Sequence, residues 1–439
     1  MADKFSTAPP RGMRDILPDE VELRDVATER ILAVYRGYGF RRIETPALES
    51  LTLLAGSDSG ENEKLIYKVL KRGEDLDAAL RSGSRELADL GLRFDLTVPL
   101  ARYYAENHAR LPDPLKAIQI GPVWRAERPQ KGRYRQFTQC DIDVLGTASA
   151  VVEVELILAT CEALRAAFDL ADLTVRINDR RILTLIAGAC GFAGRDQGRF
   201  FITFDKLDKI GAAGVLAELR EAGHEASAIA RFEGLLPDLQ KGEPTPESLR
   251  ASLGAGAGEA AAAFGWLTAI IQAATGQLPA GARVRFDPTL VRGMGYYTGT
   301  IFEIVAADFP SSIAGGGRYD RMIGRLLGRE VPACGFSIGF ERLVALLGER
   351  RGAGPVAASP PVAQAPRIAL LVDGGADLTA ALAAARALRA EGNLVSLELR
   401  RKNLGKQLDD FAVHGVRGYA TVQDGRAVVK PLAGPRERR

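Results

Sequence analysis

Residues 351–366 read Arg-Gly-Ala-Gly-Pro-Val-Ala-Ala-Ser-Pro-Pro-Val-Ala-Gln-Ala-Pro, with four prolines among small side chains. Such a stretch stays extended and buries little, so it predicts a linker dividing the chain into separate folding units. Beyond it, Ile368–Val372, Leu378–Glu391, Leu394–Leu399, Leu404–Val413 and Tyr419–Val422 alternate strand-like and helix-like patterns. They predict a small α/β domain over 367–439, with a disordered tail from Pro435.

Ahead of the linker, residues 18–38 carry Val21, Leu23, Val26, Ile31, Leu32 and Tyr35 at helical spacing behind Pro18-Asp19-Glu20. Short extended runs follow at 41–44, 92–97, 117–124, 133–145, 281–287 and 300–306. Turns separate them, and helices do not alternate with them regularly. The expected fold class is therefore α+β, an antiparallel sheet flanked by helices. From 178 to 275, alanine, leucine and charge dominate with helical periodicity. This predicts a helical insertion between two parts of one sheet domain, 1–177 and 276–350.

The whole chain of 439 residues has 58 Lys+Arg against 55 Asp+Glu, a formal net charge of +3, so any nucleic-acid surface must be local. Its four cysteines are widely spaced, which argues against a zinc knuckle or disulfide scaffold. Only His108, His224 and His414 occur, too few for a histidine-built metal site, and no metal-binding residue is assigned. The start Met1-Ala-Asp-Lys-Phe lacks the layout of a secretory signal, and the most apolar stretch, Ala260–Thr275, is too short to span a bilayer. A cytoplasmic location away from membranes is expected.

Three motif matches fail on context. Gly256-Ala-Gly258-Glu-Ala-Ala261 has no strand before it, so the dinucleotide pattern reads better as a helix connection. Gly405-Lys406 is followed by Gln407, which excludes a P-loop. Gly335-Phe-Ser337-Ile-Gly339 matches a hydrolase nucleophile elbow, but only His414 follows, across the linker.

A denser constellation is Trp124-Arg125-Ala-Glu127-Arg128-Pro129-Gln130-Lys131-Gly132-Arg133-Tyr134-Arg135-Gln136. It reads as a hairpin presenting guanidinium forks, which suit polyphosphate; a solvated basic loop is the plain alternative. Ala314-Gly-Gly-Gly-Arg318-Tyr-Asp320 adds a glycine run that lets backbone approach a ligand. Gly339-Phe-Glu341-Arg342 places a cation at the start of an apolar helix, against the dipole, which calls for an anionic partner; Glu341 would serve structurally.

Taken in order, Thr45-Pro46-Ala-Leu-Glu49, Arg125-Ala-Glu127-Arg128 and Gly339-Phe-Glu341-Arg342 resemble the three signature motifs of class II aminoacyl-tRNA synthetases. Within that class, Val291-Arg292-Gly293-Met294-Gly295-Tyr296-Tyr297-Thr298-Gly299-Thr300-Ile-Phe-Glu303 is similar to the histidine-specific motif of histidyl-tRNA synthetases. So are the loop Arg128–Gln136 and Phe204-Asp205-Lys206-Leu207-Asp208-Lys209-Ile210-Gly211, and the likeness runs from about residue 8 to 430.

The resemblance implies a ligase that joins L-histidine to ATP as histidyl-adenylate and passes the acyl group to tRNA(His), with Mg²⁺ on the ATP phosphates. It implies that Arg125 holds the α-phosphate and substrate carboxylate, Arg292 the α-phosphate, Arg342 the far phosphates and Glu127 the adenine edge. Asp95, Thr97 and Gln139 would receive the α-amino group. Asp143 and Tyr297 would address the imidazole, with Tyr296 beside them. The alternation Gln139, Asp141, Asp143 sets these three on one strand face. Many family members have Asp where Gly295 stands, so a carboxylate beside the tyrosines is missing. The last domain resembles an anticodon-binding domain, with Arg400, Arg401, Lys402 and Lys406 clustered at a strand–helix passage. A homodimer joined through the catalytic domain is implied as well. One rival is the synthetase-like regulatory subunit of ATP phosphoribosyltransferase in histidine biosynthesis; the other is a serine hydrolase using Ser337.

Overall fold

A computed structural model of the chain describes residues 6–56, 64–129, 133–240, 242–254, 258–292, 295–307, 309, 311–350, 366–423 and 426–432. Its strands in chain order are β1 (Arg41–Arg42), β2 (Leu48–Ser50), β3 (Lys68–Leu70), β4 (Ala88–Leu92), β5 (Leu115–Trp124), β6 (Gln136–Leu145), β7 (Leu173–Asp179), β8 (Ala282–Phe286), β9 (Thr300–Ala306), β10 (Ala314–Arg318) and β11 (Ala333–Ile338). Those of the last domain are β12 (Arg367–Val372), β13 (Leu394–Leu399), β14 (Gly418–Gln423) and β15 (Arg426–Pro431).

The main sheet has the order β1-β5-β6-β11-β10-β9-β7-β8. Its six central strands pair antiparallel, as expected, but β1 runs parallel to β5 and β8 parallel to β7. The sheet is thus mixed at both edges. Long connections make this possible: β1 and β5 are separated by the small sheet β2-β4-β3, and β7 and β8 by the helical insertion. The run 92–97 is not one strand. β4 ends at Leu92, and Thr97 opens the helix Thr97–Asn107, whose Val98 N–H is bonded by the Asp95 carboxylate at 3.1 Å.

Behind the sheet lies the helix Ala150–Phe168, apolar on nearly every side and buried between the strands and the amphipathic helix Pro18–Gly37. Cys140, Ile142 and Val144 of β6 point into this core, so the intervening Gln139, Asp141 and Asp143 face the other way. The insertion consists of the helices Arg180–Cys190, Arg195–Phe204, Leu207–Glu221, Ala226–Gln240, Pro246–Ser252 and Glu259–Ala274. Its own centre is aromatic: Phe192 stacks on Phe200 at 4.3 Å, and Phe200 and Phe204 meet Phe232 edge-on. Among the described residues no helix is long and apolar enough to cross a membrane.

In the last domain the sheet order is β13-β12-β14-β15, three parallel strands and a C-terminal hairpin strand that the sequence pattern did not reveal. The domain docks through polar groups that are almost wholly buried. Lys116 of β5 donates to Glu155 at 2.6 Å and to the Leu397 carbonyl at 3.1 Å. Arg389 donates to the carbonyls of Gly37 and Val395 and lies over the Tyr38 ring. Linker residues 351–365, the tail from Leu432 onward except that residue itself, and the hairpin tip Gln130–Gly132 lie outside the described residues, as do Gly293, Met294 and Gly256.

Candidate functional site

The open face of β6, β10 and β11 forms the floor of a cavity of about 490 Å³. Every candidate side chain lines it: Asp95, Thr97, Arg125, Glu127, Gln139, Asp143, Arg292, Tyr296, Tyr297 and Arg342. They arrive from five separate chain segments, so a coincidental basic loop does not account for the gathering.

The floor exists because β10 and β11 carry glycines. A Cβ on Gly335 would come within 1.9 Å of Asp143 Oδ1, and one on Gly316 within 2.0 Å of the Gly335 carbonyl oxygen. On Gly315 it would meet the Arg292 guanidinium at 2.6 Å, and on Gly317 the Tyr297 ring at 2.8 Å. Real Cβ contacts do not come so close, so functional groups rest directly on bare backbone.

Arg125 leaves the end of β5 and donates through Nε to the Phe94 carbonyl at 2.9 Å, with its guanidinium 5.1 Å from the Phe137 ring centroid. Arg292 approaches from the opposite side and pairs with Glu303 at 2.9 Å. Its Nε is buried without a partner. Arg342 bonds to Ser311 Oγ and the Ser312 carbonyl at the rim. Glu341 does not pair with it. That carboxylate instead binds Arg24 through two bonds of 2.8 Å, reaches Arg14 at 3.3 Å and accepts from the Thr138 amide. Among the described residues no carboxylate pairs with Arg342, whose charge stands at a helix start, where an anion would be favoured. Glu127 is engaged by Arg133.

Three buried carboxyl groups share the cavity, two of them, Asp95 and Asp141, within reach of the Arg125 charge. Burial pushes Asp95 up to about 6, against the pull of the Val98 and Thr97 amides and Arg125. Burial pushes Asp143 up to about 7, although the Tyr319 hydroxyl donates to it at 2.5 Å. Asp141 is raised too, by burial first and then by Asp143. Asp95 Oδ2, Gln139 Oε1, Asp141 Oδ1 and Asp143 Oδ2 are all buried and have no partner within the protein. Such atoms destabilise a fold that offers them nothing, and here they line one cavity with Arg292 Nε. The set fits a ligand carrying its own hydrogen-bond donors, one cationic end and phosphate.

The cavity also holds Tyr319, Lys209 and Asp141, to which sequence reasoning assigned no role, and Ser337, which it named only as the nucleophile of a hydrolase. Tyr319 follows the glycine run by two positions, a spacing that gives no chemical signal, and only register brings it to Asp143. Lys209 comes from the insertion, within the segment similar to the family at 204–211. Gly295, by contrast, faces a neighbouring cavity with Arg180, Arg181, Arg321 and Arg325, on the far side of the Tyr296–Tyr297 wall. Among the described residues no histidine lines the main cavity, and His414 sits by Arg41 in the last domain. Ser337 thus has no imidazole base, which removes the hydrolase reading. No group of three or more His, Cys, Asp or Glu among the described residues is placed to hold a metal ion.

A family model described as histidyl-tRNA synthetase matches residues 12–343. A protein named histidine–tRNA ligase from Leifsonia xyli subsp. xyli is 50% identical, the match covering 97% of this chain and 98% of that protein. A solved histidyl-tRNA synthetase from Nostoc superposes with a TM-score of 0.64 at 26% identity, covering 98% of this chain and 97% of that one. A Bacillus halodurans structure described as an ATP phosphoribosyltransferase regulatory subunit/histidyl-tRNA synthetase shares the fold, with a TM-score of 0.65 at 22% identity, 96% of this chain and 99% of that one.

Proposed function

The chain belongs to the histidyl-tRNA synthetase family, and from that premise we propose that it is a histidine–tRNA ligase that activates L-histidine with ATP and esterifies tRNA(His). In the first step a histidine carboxylate oxygen bonds to the α-phosphorus of ATP and the bond to the β-phosphate oxygen breaks, releasing pyrophosphate. In the second, a ribose hydroxyl of the terminal adenosine attacks the acyl carbon and AMP leaves.

Both partners of the first step are anions, so positive charge must be concentrated where they meet. Arg125 and Arg292 would take the α-phosphate from opposite sides, Arg125 would also hold the carboxylate, and Arg342 would take the far phosphates. Glu127 would read the adenine edge. Mg²⁺ enters as the companion of the ATP phosphates, as part of the substrate. Asp143, Tyr296 and Tyr297 would face the imidazole, and Asp95, Thr97 and Gln139 the ammonium group. What carries this reading is the meeting of three distant guanidinium groups with buried, unpartnered acceptors in one cavity.

The Arg400, Arg401, Lys402 and Lys406 cluster on the last domain would contact tRNA phosphates. A second copy of the chain would cover Leu48, Leu70 and Leu90, exposed on the small sheet beside Thr45-Pro46. A cytoplasmic setting, where ATP and tRNA are found, follows from this activity. The test is histidine-dependent exchange of labelled pyrophosphate into ATP, followed by charging of tRNA(His). Exchange is expected. A folded protein without exchange would support the regulatory-subunit reading instead.

A further inference from the structure

Asp141 belongs to none of the roles above, although it lies at the middle of the cavity floor. It sits on β6 opposite Gln119 of β5 and Ser337 of β11, between Gln139 and Asp143 on the same strand face. It is 4% exposed. One carboxylate oxygen, Oδ2, accepts a long bond of 3.4 Å from Gln139 Nε2, and the Ser337 side chain also hydrogen-bonds the carboxylate, while Oδ1 is buried with no partner. A carboxylate costs free energy in such a place unless something that donates comes to it.

The neighbours say what that donor is. Asp143 already has the Tyr319 hydroxyl and lies over Gly335, two residues further along the strand pair than Asp141 and Ser337. Thr97 is hydrogen-bonded with the Tyr296 hydroxyl. Apart from Asp143 Oδ2, three acceptor atoms of this cavity are unpartnered: Asp95 Oδ2, Gln139 Oε1 and Asp141 Oδ1. A primary ammonium carries three N–H donors, so the count matches. It also carries the positive charge that two carboxylates need if both are to ionise, and Arg125 is close enough to act on both.

We infer that Asp141 is a specificity-determining residue that binds the α-ammonium group of the amino acid, together with Asp95 and Gln139, in the place that the family pattern gives to Thr97. This rests on the histidine-ligase reading of the same cavity. A charge-assisted hydrogen bond from an ammonium to a buried carboxylate contributes on the order of 1.5–3 kcal/mol, roughly ten- to hundredfold in affinity.

The experiment measures binding of L-histidine, imidazole-propionate (the same skeleton without the amino group) and ATP to the full chain and to Asp141→Asn. The parent should bind L-histidine. The variant should bind it at least tenfold more weakly while binding imidazole-propionate and ATP as the parent does, and its steady-state loss should fall on KM for histidine more than on kcat. If Asp141→Asn does not fold, Asp141→Ser is read by the same ratio of the two ligands. Unchanged histidine binding, or equal losses for histidine and imidazole-propionate, overturns the inference, the latter by moving Asp141 to the ring. A folded parent that binds no histidine would refute the ligase reading itself.

Discussion

The two faces of the main sheet treat buried charge in opposite ways. Behind it, Glu153 is fully buried, yet both its oxygens are taken: Arg318 binds it through two bonds of 2.7 Å, and Trp266 and Thr300 donate to it as well. On the cavity face, Asp95, Asp141 and Asp143 are about equally buried, yet each keeps an oxygen without a partner. Arg318 and three of the floor glycines, Gly315, Gly316 and Gly317, lie on the same strand, β10. Burial therefore does not distinguish a structural charge from a functional one. Saturation does on the reading proposed above: the rear cluster ties the insertion to the sheet, and the front cluster keeps acceptors that a ligand would take.

The contrast breaks most visibly at Arg292. Arg292→Ala should lower histidine-dependent exchange by about 10²-fold or more, the scale for removing one preorganised charge, with little change in melting temperature. Exchange equal to that of the parent would show that the front charges are structural after all.

The converse holds for Glu153→Gln, which leaves Arg318 buried beside a neutral partner. A loss of about 3–5 kcal/mol in unfolding free energy is expected, with exchange by the folded fraction within a few-fold of the parent. Lost exchange at unaltered stability would invert the assignment of the two faces.

The smallest effect is one of pH. Unfolded aspartates release their protons near 4, whereas Asp95 holds its proton to about 6 and Asp143 to about 7 in the ligand-free fold. Between those values the native state binds more protons than the unfolded state, so stability falls as pH rises through that window and levels off above it. The ligand-free protein should melt higher at pH 5.5 than at pH 8, by about 2 kcal/mol in stability, and saturating L-histidine should narrow the gap at pH 8. A melting temperature that rises with pH over this range would mean that the front carboxyls are already paired.

Much of this was legible in the residues. The strands at 117–124, 133–145, 281–287 and 300–306 show in their composition, and the arginines stand in recognisable short motifs. Parallel pairing at the sheet edges was not legible, because orientation is decided by connections whose paths are tertiary. The run 92–97 misled because its apolar residues are buried at a strand-to-helix passage, where alternation carries no information. The insertion's composition shows mainly alanine, leucine and charge, yet its aromatic residues converge on one another, which periodicity does not reveal. Tyr319 owes its place to strand register, which no local pattern encodes, whereas alternation along the strand already put Asp141 on the cavity face without giving it a role.

Anyone seeking to retarget this cavity to another amino acid would find the freedom to do so unevenly spread. At Gly315, Gly316, Gly317 and Gly335 even a methyl group collides with backbone or with a functional side chain, so these positions of the floor admit no side chain without moving such a group. Variation has to come from the walls, through Tyr296, Tyr297 and the β6 side chains, and a useful library would leave the glycines alone.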